Sequence, residues 1–413
     1  MDATGSHLSG VWSKVTDLRV VRGHGCRVVD EAGTEYLDFT AGIAAASTGH
    51  AHPKVAQAIA DQAQRLVHSQ INVYRHDLLE PLAAKLAEIT PDSIDTFYFG
   101  STSDEMLESA VKLAKHATGR RSVVAFDGAF HGRTSLTLSM STSRAIDRRG
   151  YGPFPGGVFV SAFPDPHASD QEAEVSRALF ALDRLFVTQV DPNEIAALVI
   201  EPVIGERGFI PTPKDFISGL VERCAQYGIL LVADETQSGF GRTGRMFASE
   251  AFDIVPDIIC MAKGIASGFP FAALGTRREI DDLWLTGSHS GSSNGNPLGC
   301  AAALATIDVL TEPGFLDNVN ARGEQLIDAL RDLQQLDPAL LHVRGRGLMV
   351  ATEFDTPERA EAVVAHCLAE SRVVLMLAGT RNRTIRWMPP LVVTADEISE
   401  AVAAFAAAIR ATG

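Results

Sequence analysis

The sequence predicts an α/β protein with a mainly parallel central sheet in a large domain, plus a smaller α+β domain formed by both termini. Three observations carry this. Short, continuously apolar runs recur between Ser122 and Thr276, the mark of strands covered on both faces. Amphipathic helical stretches alternate with them, as a parallel sheet requires. Beyond Leu341 the order changes to strands mixed with two amphipathic helices.

The elements follow in chain order. "CRVVDEAGTEYLDF" (26–39) reads as a hairpin turning at Ala32 and Gly33. "FYFGSTSDEMLESAVKLA" (97–114) runs from a strand end through hydroxyl and acidic residues into a helix that Gly119 stops. Thr102 with Glu105 three residues on fits a capping box, and the same turn suits an anion. Strands are expected in "SVVAF" (122–126), "IAALVIEPV" (195–203), "GILLVADET" (228–236), "DIICMA" (257–262) and "FAALGT" (271–276). The region from Ser161 to Leu185 reads as a short hairpin. Helices are expected in "PKDFISGLVERCAQYG" (213–228), in "NPLGCAAALATIDVL" (296–310), and again from near Leu316. The strands "GLMVATEF" (347–354), "RVVLMLA" (372–378) and "TIRWM" (384–388) then mix with the helices "PERAEAVVAHCLAES" (357–371) and "ADEISEAVAAFAAAIR" (395–410). The expected division is a large domain over 51–312, a small domain over 313–413, and an N-terminal segment, 1–50, packing with the small one.

Composition narrows the function. Of 413 residues, 51 are acidic and 36 are Lys or Arg, a formal net charge of −15 with no basic run, which argues against a nucleic-acid partner. The five cysteines, Cys26, Cys224, Cys260, Cys300 and Cys367, form no C-x-x-C pair and have no His at ligand spacing. They read as small buried hydrophobes in a reducing compartment, and no metal site is expected. "MDATGSHLSG" lacks a charged leader and an apolar core, and no later segment offers the roughly 18 apolar residues of a membrane span. A cytoplasmic location without a membrane partner is expected.

In an open α/β sheet, ligands gather at the carboxyl ends of the strands. Those ends carry Glu201, Asp234, Glu235 and Lys263. Lys263 has no carboxylate within five residues, so an ion-pair partner must come from elsewhere in the fold. A free lysine, with pKa about 10.4, is neutral in roughly one molecule in 2,500 at pH 7. A nucleophilic lysine is therefore desolvated or bound as an imine, whereas a structural one snorkels to the surface. Asp234 ends the apolar run "ILLVAD", where an unpaired carboxylate is costly. It is either an acid capping a turn or the counter-charge of a protonated heterocycle. "QSGFGRTGR" (237–245) is a glycine-rich turn, and "SGSSNGNP" (290–297) offers N–H groups before a helix, a candidate phosphate cradle.

"VADETQSGFGRTGRMFA", followed by "PDIICMAKGIASGFP" with its lysine 29 residues after Asp234, resembles the class III pyridoxal-phosphate aminotransferases. "YLDFTAGIAAASTGHAHPKV", "AFDGAFHGRT", "VIEPVIGERGF", "GNPLGCAAALATIDVL", "VRGRGLM" and "IRWMPPLVV" extend the likeness over nearly the whole chain. The resemblance is to the ornithine, acetylornithine and 4-aminobutyrate branch. It implies the type I fold of pyridoxal-phosphate (PLP) enzymes, the cofactor PLP, and a ping-pong exchange between an amine donor and an oxo-acid acceptor such as 2-oxoglutarate or pyruvate. It further implies a homodimer or a dimer of dimers with shared sites.

Residue by residue, the resemblance makes Lys263 the lysine that carries the cofactor and moves the substrate proton, and Asp234 the partner of the pyridinium nitrogen. Gln237 faces the phenolic oxygen, Phe130 stacks on the ring, and His131 stands beside it in a structural or a direct role. Thr102 and Ser103 hold the phosphate, with Ser292 lent by the neighbouring subunit. On the substrate side, Arg133 grips a carboxylate, Glu206 and Arg386 form a switch pair, Ile43 limits the pocket, and Tyr74 faces the substrate. Glu201 is expected to order the arginine-rich site.

Departures from the family pattern stand out. Ile204 replaces the usual Gln, and Arg207 a usual Gly or Ala, so Arg207 is expected to compete for Glu206 or to bind a longer acidic substrate. "STSDEM" (101–106) stands where the family carries a pattern like Asn-Ser-Gly-x-Glu-Ala, and Ser103, Asp104 and Met106 are expected to weaken the cofactor grip. A short hairpin over Ser161 to Leu185 would leave the entrance more open. Three alternatives stay open: an amine transaminase with non-carboxylate donors, a decarboxylating or aminomutase member, and a PLP-binding protein that has lost turnover.

Overall fold

The computed structural model describes residues 7–252 and 254–413; residues 1–6 of the expected N-terminal segment lie outside the described residues. The central sheet has seven strands in the order Thr96–Gly100, Ala272–Thr276, Ile258–Met261, Leu230–Asp234, Ile195–Ile200, Ser122–Phe126 and Val158–Ser161. Ala272–Thr276 runs against both of its neighbours, and the other strands are parallel.

Side chains alternate across a strand, so an unbroken apolar run must be covered twice. Val123, Ala125, Val199, Val232, Cys260 and Leu274 face the helix Ser103–Thr118. Val124, Phe126, Leu198, Ile200 and Leu231 face the opposite layer. That layer is built by the helices Gln171–Thr188 and Lys214–Tyr227. The first of these corrects the hairpin expected over Ser161 to Leu185. Val175, Ala178, Leu182, Leu185 and Phe186 recur at helical spacing and are buried, and Asp170 caps the helix by accepting the Ala173 N–H at 2.9 Å.

A second sheet, wholly antiparallel, joins Leu340–Arg346, Met349–Phe354, Thr384–Trp387 and Met376–Ala378. Its first strand escapes the sequence reading because most of its residues are only partly buried and the apolar signal is diluted. The helices Phe315–Leu336, Pro357–Ser371 and Ala395–Thr412 pack with it through Leu326, Val363 and Phe405. The expected N-terminal hairpin pairs Arg27–Asp30 with Glu35–Asp38. Asp30 accepts the Ala32 and Thr34 N–H groups, and Gly33 takes the left-handed conformation the turn requires. Val373–Val374 adds in parallel to Glu35–Asp38, so the two ends of the chain share one sheet.

The glycine-rich turn after Asp234 is part of the frame. Arg242, fully buried, donates to the Leu348 carbonyl at 3.0 Å and the Pro389 carbonyl at 2.6 Å. It ties this turn to the C-terminal segment, and burial pushes its pKa down to about 9. All five cysteines are free and buried. Among the described residues no single helix is long and apolar enough to cross a membrane, and no group of side chains could hold a metal ion.

Candidate active site

Three adjacent parallel strands, Ile195–Ile200, Leu230–Asp234 and Ile258–Met261, end side by side. Glu201, Asp234 and Lys263 therefore meet at one cleft, with Ser103, Phe130, His131, Glu206 and Gln237 on its walls. Lys263 opens a short 3-10 turn with φ of +45°, a left-handed conformation that a lysine rarely adopts. Burial pushes its pKa down to about 8, Glu206 pulls it back up, and Arg386 pushes it down again.

Asp234 is held from its far side. His131 Nδ1 lies 2.9 Å from Asp234 Oδ2, and the Thr236 N–H donates to Oδ1 at 3.1 Å. The His131 backbone N–H in turn donates to Ser141 Oγ at 2.8 Å. Burial works against a charge on His131, but the hydrogen bond and charge of Asp234 outweigh it and raise the imidazole pKa. His131 is thus the group that orients the acid.

Among the described residues Glu201 pairs with no arginine. Its carboxylate accepts the N–H groups of Phe130 at 2.8 Å and Gly205 at 2.9 Å, pinning the two loops that flank the cleft. Burial raises its pKa to about 7, against the pull of His131.

The Thr102–Glu105 turn caps its helix, with one change of partner. Thr102 Oγ1 accepts the Glu105 N–H at 3.3 Å, while the Glu105 carboxylate reaches back to the Ser101 N–H at 2.9 Å instead of that of Thr102. Asp104 turns away from the cleft: its Oδ1 accepts the Arg133 N–H at 2.7 Å and lies 3.4 Å from Thr137 Oγ1. Gly132 makes this approach possible, because a Cβ there would sit 1.6 Å from Asp104 Oδ1. Met106 is fully buried in the layer under the sheet.

Glu206 and Arg386, expected as a pair, are in contact. Arg386 Nη1 donates to Glu206 Oε1 at 2.6 Å, and Arg386 lies over the Phe209 ring. Burial opposes the Glu206 charge, and Arg386, Lys263 and Arg144 outweigh it and hold its carboxyl below the ordinary range. Arg207, the next residue, does not compete: among the described residues it makes no ion pair with Glu206, and it lines a different cavity. Arg133 lies against the Phe130 ring, 5.4 Å from its centroid, and pairs with Asp147 at 3.3 Å. Asp147, side chain 10 % exposed, also binds Arg144 at 3.2 Å. It went unnoticed in the sequence because "SRAIDRRG" carries no motif. Ile43, Tyr74 and Ser292 are exposed and do not line the cleft, and neither does the "SGSSNGNP" turn that carries Ser292.

Residues 8–409 match the model of the aminotransferase class-III family. The chain belongs to the class III aminotransferases. It is 38% identical over 371 residues to a 5-aminovalerate aminotransferase of Pseudomonas putida, covering 88% of this chain and 87% of that one. It is 36% identical to a probable 4-aminobutyrate aminotransferase of Bacillus subtilis, covering 95% and 92%. The ornithine aminotransferase of Toxoplasma gondii, in a structure with PLP at partial occupancy in its active site, superposes with a TM-score of 0.87 at 30% identity, covering 98% and 92%.

This class III aminotransferase is therefore a PLP-dependent transaminase, acting between an amine donor and an oxo-acid acceptor. Its fold is that of type I PLP enzymes. The residues present fit the cofactor. His131 Nε2, Thr236 Oγ1 and Gln237 Nε2 are buried without hydrogen-bond partners. His131, Thr236 and Gln237 all line the cleft, beside a desolvated amine and a helix N-terminus with its free N–H groups.

Proposed function

We propose that this enzyme moves the amino group of an ω-amino acid of the 4-aminobutyrate or 5-aminovalerate type to an oxo acid, 2-oxoglutarate or pyruvate, by a ping-pong cycle. The Arg386–Glu206 pair, with Glu206 on the wall of the cleft that holds Lys263, is the observation that carries this reading. With an ω-amino donor, the carbon that reacts bears no carboxylate, and Glu206 keeps Arg386 neutralised. With glutamate in the same place, Arg386 leaves Glu206 and grips the α-carboxylate through its planar fork. Arg133 holds the distal carboxylate in both halves once that group displaces Asp147.

PLP, when bound, supplies an electron sink conjugated to the substrate carbon. The protein does the rest. Ser103 and Thr102 offer the helix N-terminus to the phosphate, Phe130 covers the ring face, and Gln237 meets the phenolic oxygen. Asp234, fixed by His131, keeps a proton on the ring nitrogen. Lys263 Nζ, depressed toward neutrality by burial, would take the proton from the substrate carbon and pass it to the cofactor's C4′ carbon, the reverse transfer serving the second half-reaction.

We assign residues 51–312 to the cofactor-holding domain and 313–413, with the 1–50 segment, to the small one. We further propose a homodimer or dimer of dimers in which Ser292, Ile43 and Tyr74 act across the interface. The exposure of Val73 (73%), Tyr74 (55%), Leu283 (51%) and Leu285 (64%) supports a covered apolar surface. A cytoplasmic location agrees with five unpaired thiols.

A donor screen tests the substrate reading: 4-aminobutyrate, 5-aminovalerate, ornithine, N-acetylornithine, β-alanine and an arylalkylamine, each with 2-oxoglutarate and with pyruvate. Highest kcat/KM for an ω-amino acid, with parallel double-reciprocal lines, is the expected result. Preference for the arylalkylamine would reject it, and carbon dioxide release from a 2,2-dialkyl amino acid would place the enzyme in the decarboxylating group.

A further inference from the structure

Consecutive residues of one loop face two different spaces. Glu206 lines the cleft that holds Lys263, and Arg207 lines a separate cavity of about 380 Å³. Four arginines wall that cavity: Arg207, Arg344, Arg381 and Arg383. His167 and three carboxylates, Asp127, Asp165 and Glu353, line the same cavity.

The carboxylates pair with only two of the four arginines, Arg344 and Arg383. Glu353 is saturated by Arg344 at 2.5 Å, Arg383 at 2.7 Å and His167 at 3.4 Å. Asp165 accepts the His167 backbone N–H at 3.0 Å. Arg207 and Arg381 have no ion pair among the described residues, and Arg207 Nη1 is buried with no hydrogen-bond partner. A buried guanidinium N–H left unmade is costly, and a guanidinium has donors alone, so only an acceptor can complete it. Arg344 also feels the crowding: burial first, then Arg207 and Arg383, act to depress its pKa.

The cavity is shaped for this side chain. Gly128 has φ of +84°, and a Cβ there would stand 2.5 Å from Arg207 Cδ. Glycine therefore clears the path along which Arg207 lies. The far wall is joined to the gate, because the Gly379 N–H donates to the Glu206 carbonyl at 2.9 Å and Gly379 lines the cavity.

We propose that this cavity is a second anion-binding site, in which Arg207 and Arg381 grip a small multiply charged anion, a polycarboxylate or a phosphorylated metabolite. The site is separate from the cofactor phosphate turn and from the substrate arginines. Its ligand bears on the loop that carries Glu206, so its occupancy is linked to the gate through Arg207 and Gly379.

The test uses PLP-loaded enzyme reduced with borohydride, so that cofactor already fills its own phosphate turn. Inorganic phosphate and malonate are titrated separately by calorimetry against the wild-type protein and the variants Arg207→Gln, Arg381→Gln and Arg133→Gln. Saturable binding of at least one anion is expected, weakened tenfold or more by Arg207→Gln and by Arg381→Gln and retained by Arg133→Gln. The tighter of the two probes identifies the ligand as phosphate-bearing or polycarboxylate. Arg381 is exposed, so its variant keeps the test valid if Arg207→Gln fails to fold. Absence of saturable binding by both anions would overturn the proposal, as would equal affinity in wild type, Arg207→Gln and Arg381→Gln.

Discussion

Arg386 and Glu206 stand 180 residues apart in sequence and meet at 2.6 Å, with the arginine side chain 2% exposed and the glutamate 26%. The arginine is thus the enclosed member of the pair, and the glutamate the member on the wall of the cleft that holds Lys263. In the proposed cycle the pair stays closed for an ω-amino donor and opens when the α-carboxylate of glutamate takes Arg386 from Glu206.

Glu206→Gln should separate the two half-reactions. It keeps the side chain's shape and removes the charge that neutralises Arg386. A charge-assisted hydrogen bond contributes about 1.5–3 kcal/mol, and about 1.4 kcal/mol is a factor of ten. The expected result is a loss of roughly tenfold to a hundredfold in kcat/KM for 4-aminobutyrate, with the 2-oxoglutarate half-reaction changed by less than about threefold. Rapid-mixing measurements of each half-reaction check this.

Asp147 acts on Arg133 in the opposite sense. On the proposed reading a substrate carboxylate takes Arg133 from Asp147, which also holds Arg144. Asp147→Asn should lower KM for carboxylate donors by about two- to fivefold, the scale of one partly exposed ion pair. Arg133→Gln should raise it. Amines without a carboxylate should respond to neither, which separates a substrate contact from a general loss of structure.

The cofactor turn gives a third expectation. Met106 is fully buried, so Met106→Ala opens a cavity and should cost about 2–5 kcal/mol in denaturant unfolding. Met106 packs in the layer under the sheet and does not line the cleft. Asp104→Ala should loosen cofactor retention on dialysis, because it frees the Arg133 N–H and with it the loop that carries Phe130 and His131. Tighter retention in Asp104→Ala would mean that its charge, and not its tie, dominates.

Much of this site could be read from the sequence because its chemistry sits at strand ends. The apolar runs ending in Asp234 and Lys263 place those groups side by side once the strands are parallel neighbours. Arg386 and Glu206 were legible as a pair only through the family likeness, since no local pattern joins residues 180 apart. Asp147 and the contacts of Asp104 and Glu201 were hidden, because which group a carboxylate meets depends on loop geometry. The helix Gln171–Thr188 was misread although its buried residues follow helical spacing.

A pH prediction follows from Lys263. Its pKa in the folded chain, about 8, lies below its unfolded value of about 10.4. Between those values the unfolded chain binds more protons, so this group makes the cofactor-free protein more stable as pH rises from about 8 to about 10.4. The slope from this group should vanish in Lys263→Met, as measured by urea unfolding across that range. The rate at which cofactor-free protein captures PLP should likewise rise through pH 8, not pH 10.

The most direct test of the ω-amino acid reading is single-turnover spectroscopy of the PLP-loaded enzyme. The enzyme is mixed first with 4-aminobutyrate or 5-aminovalerate and then with 2-oxoglutarate or pyruvate. Conversion of the cofactor band by an ω-amino acid, and its return on adding an oxo acid, is the predicted result. A band unchanged by both ω-amino acids, yet converted by an amine without a carboxylate, would contradict the account.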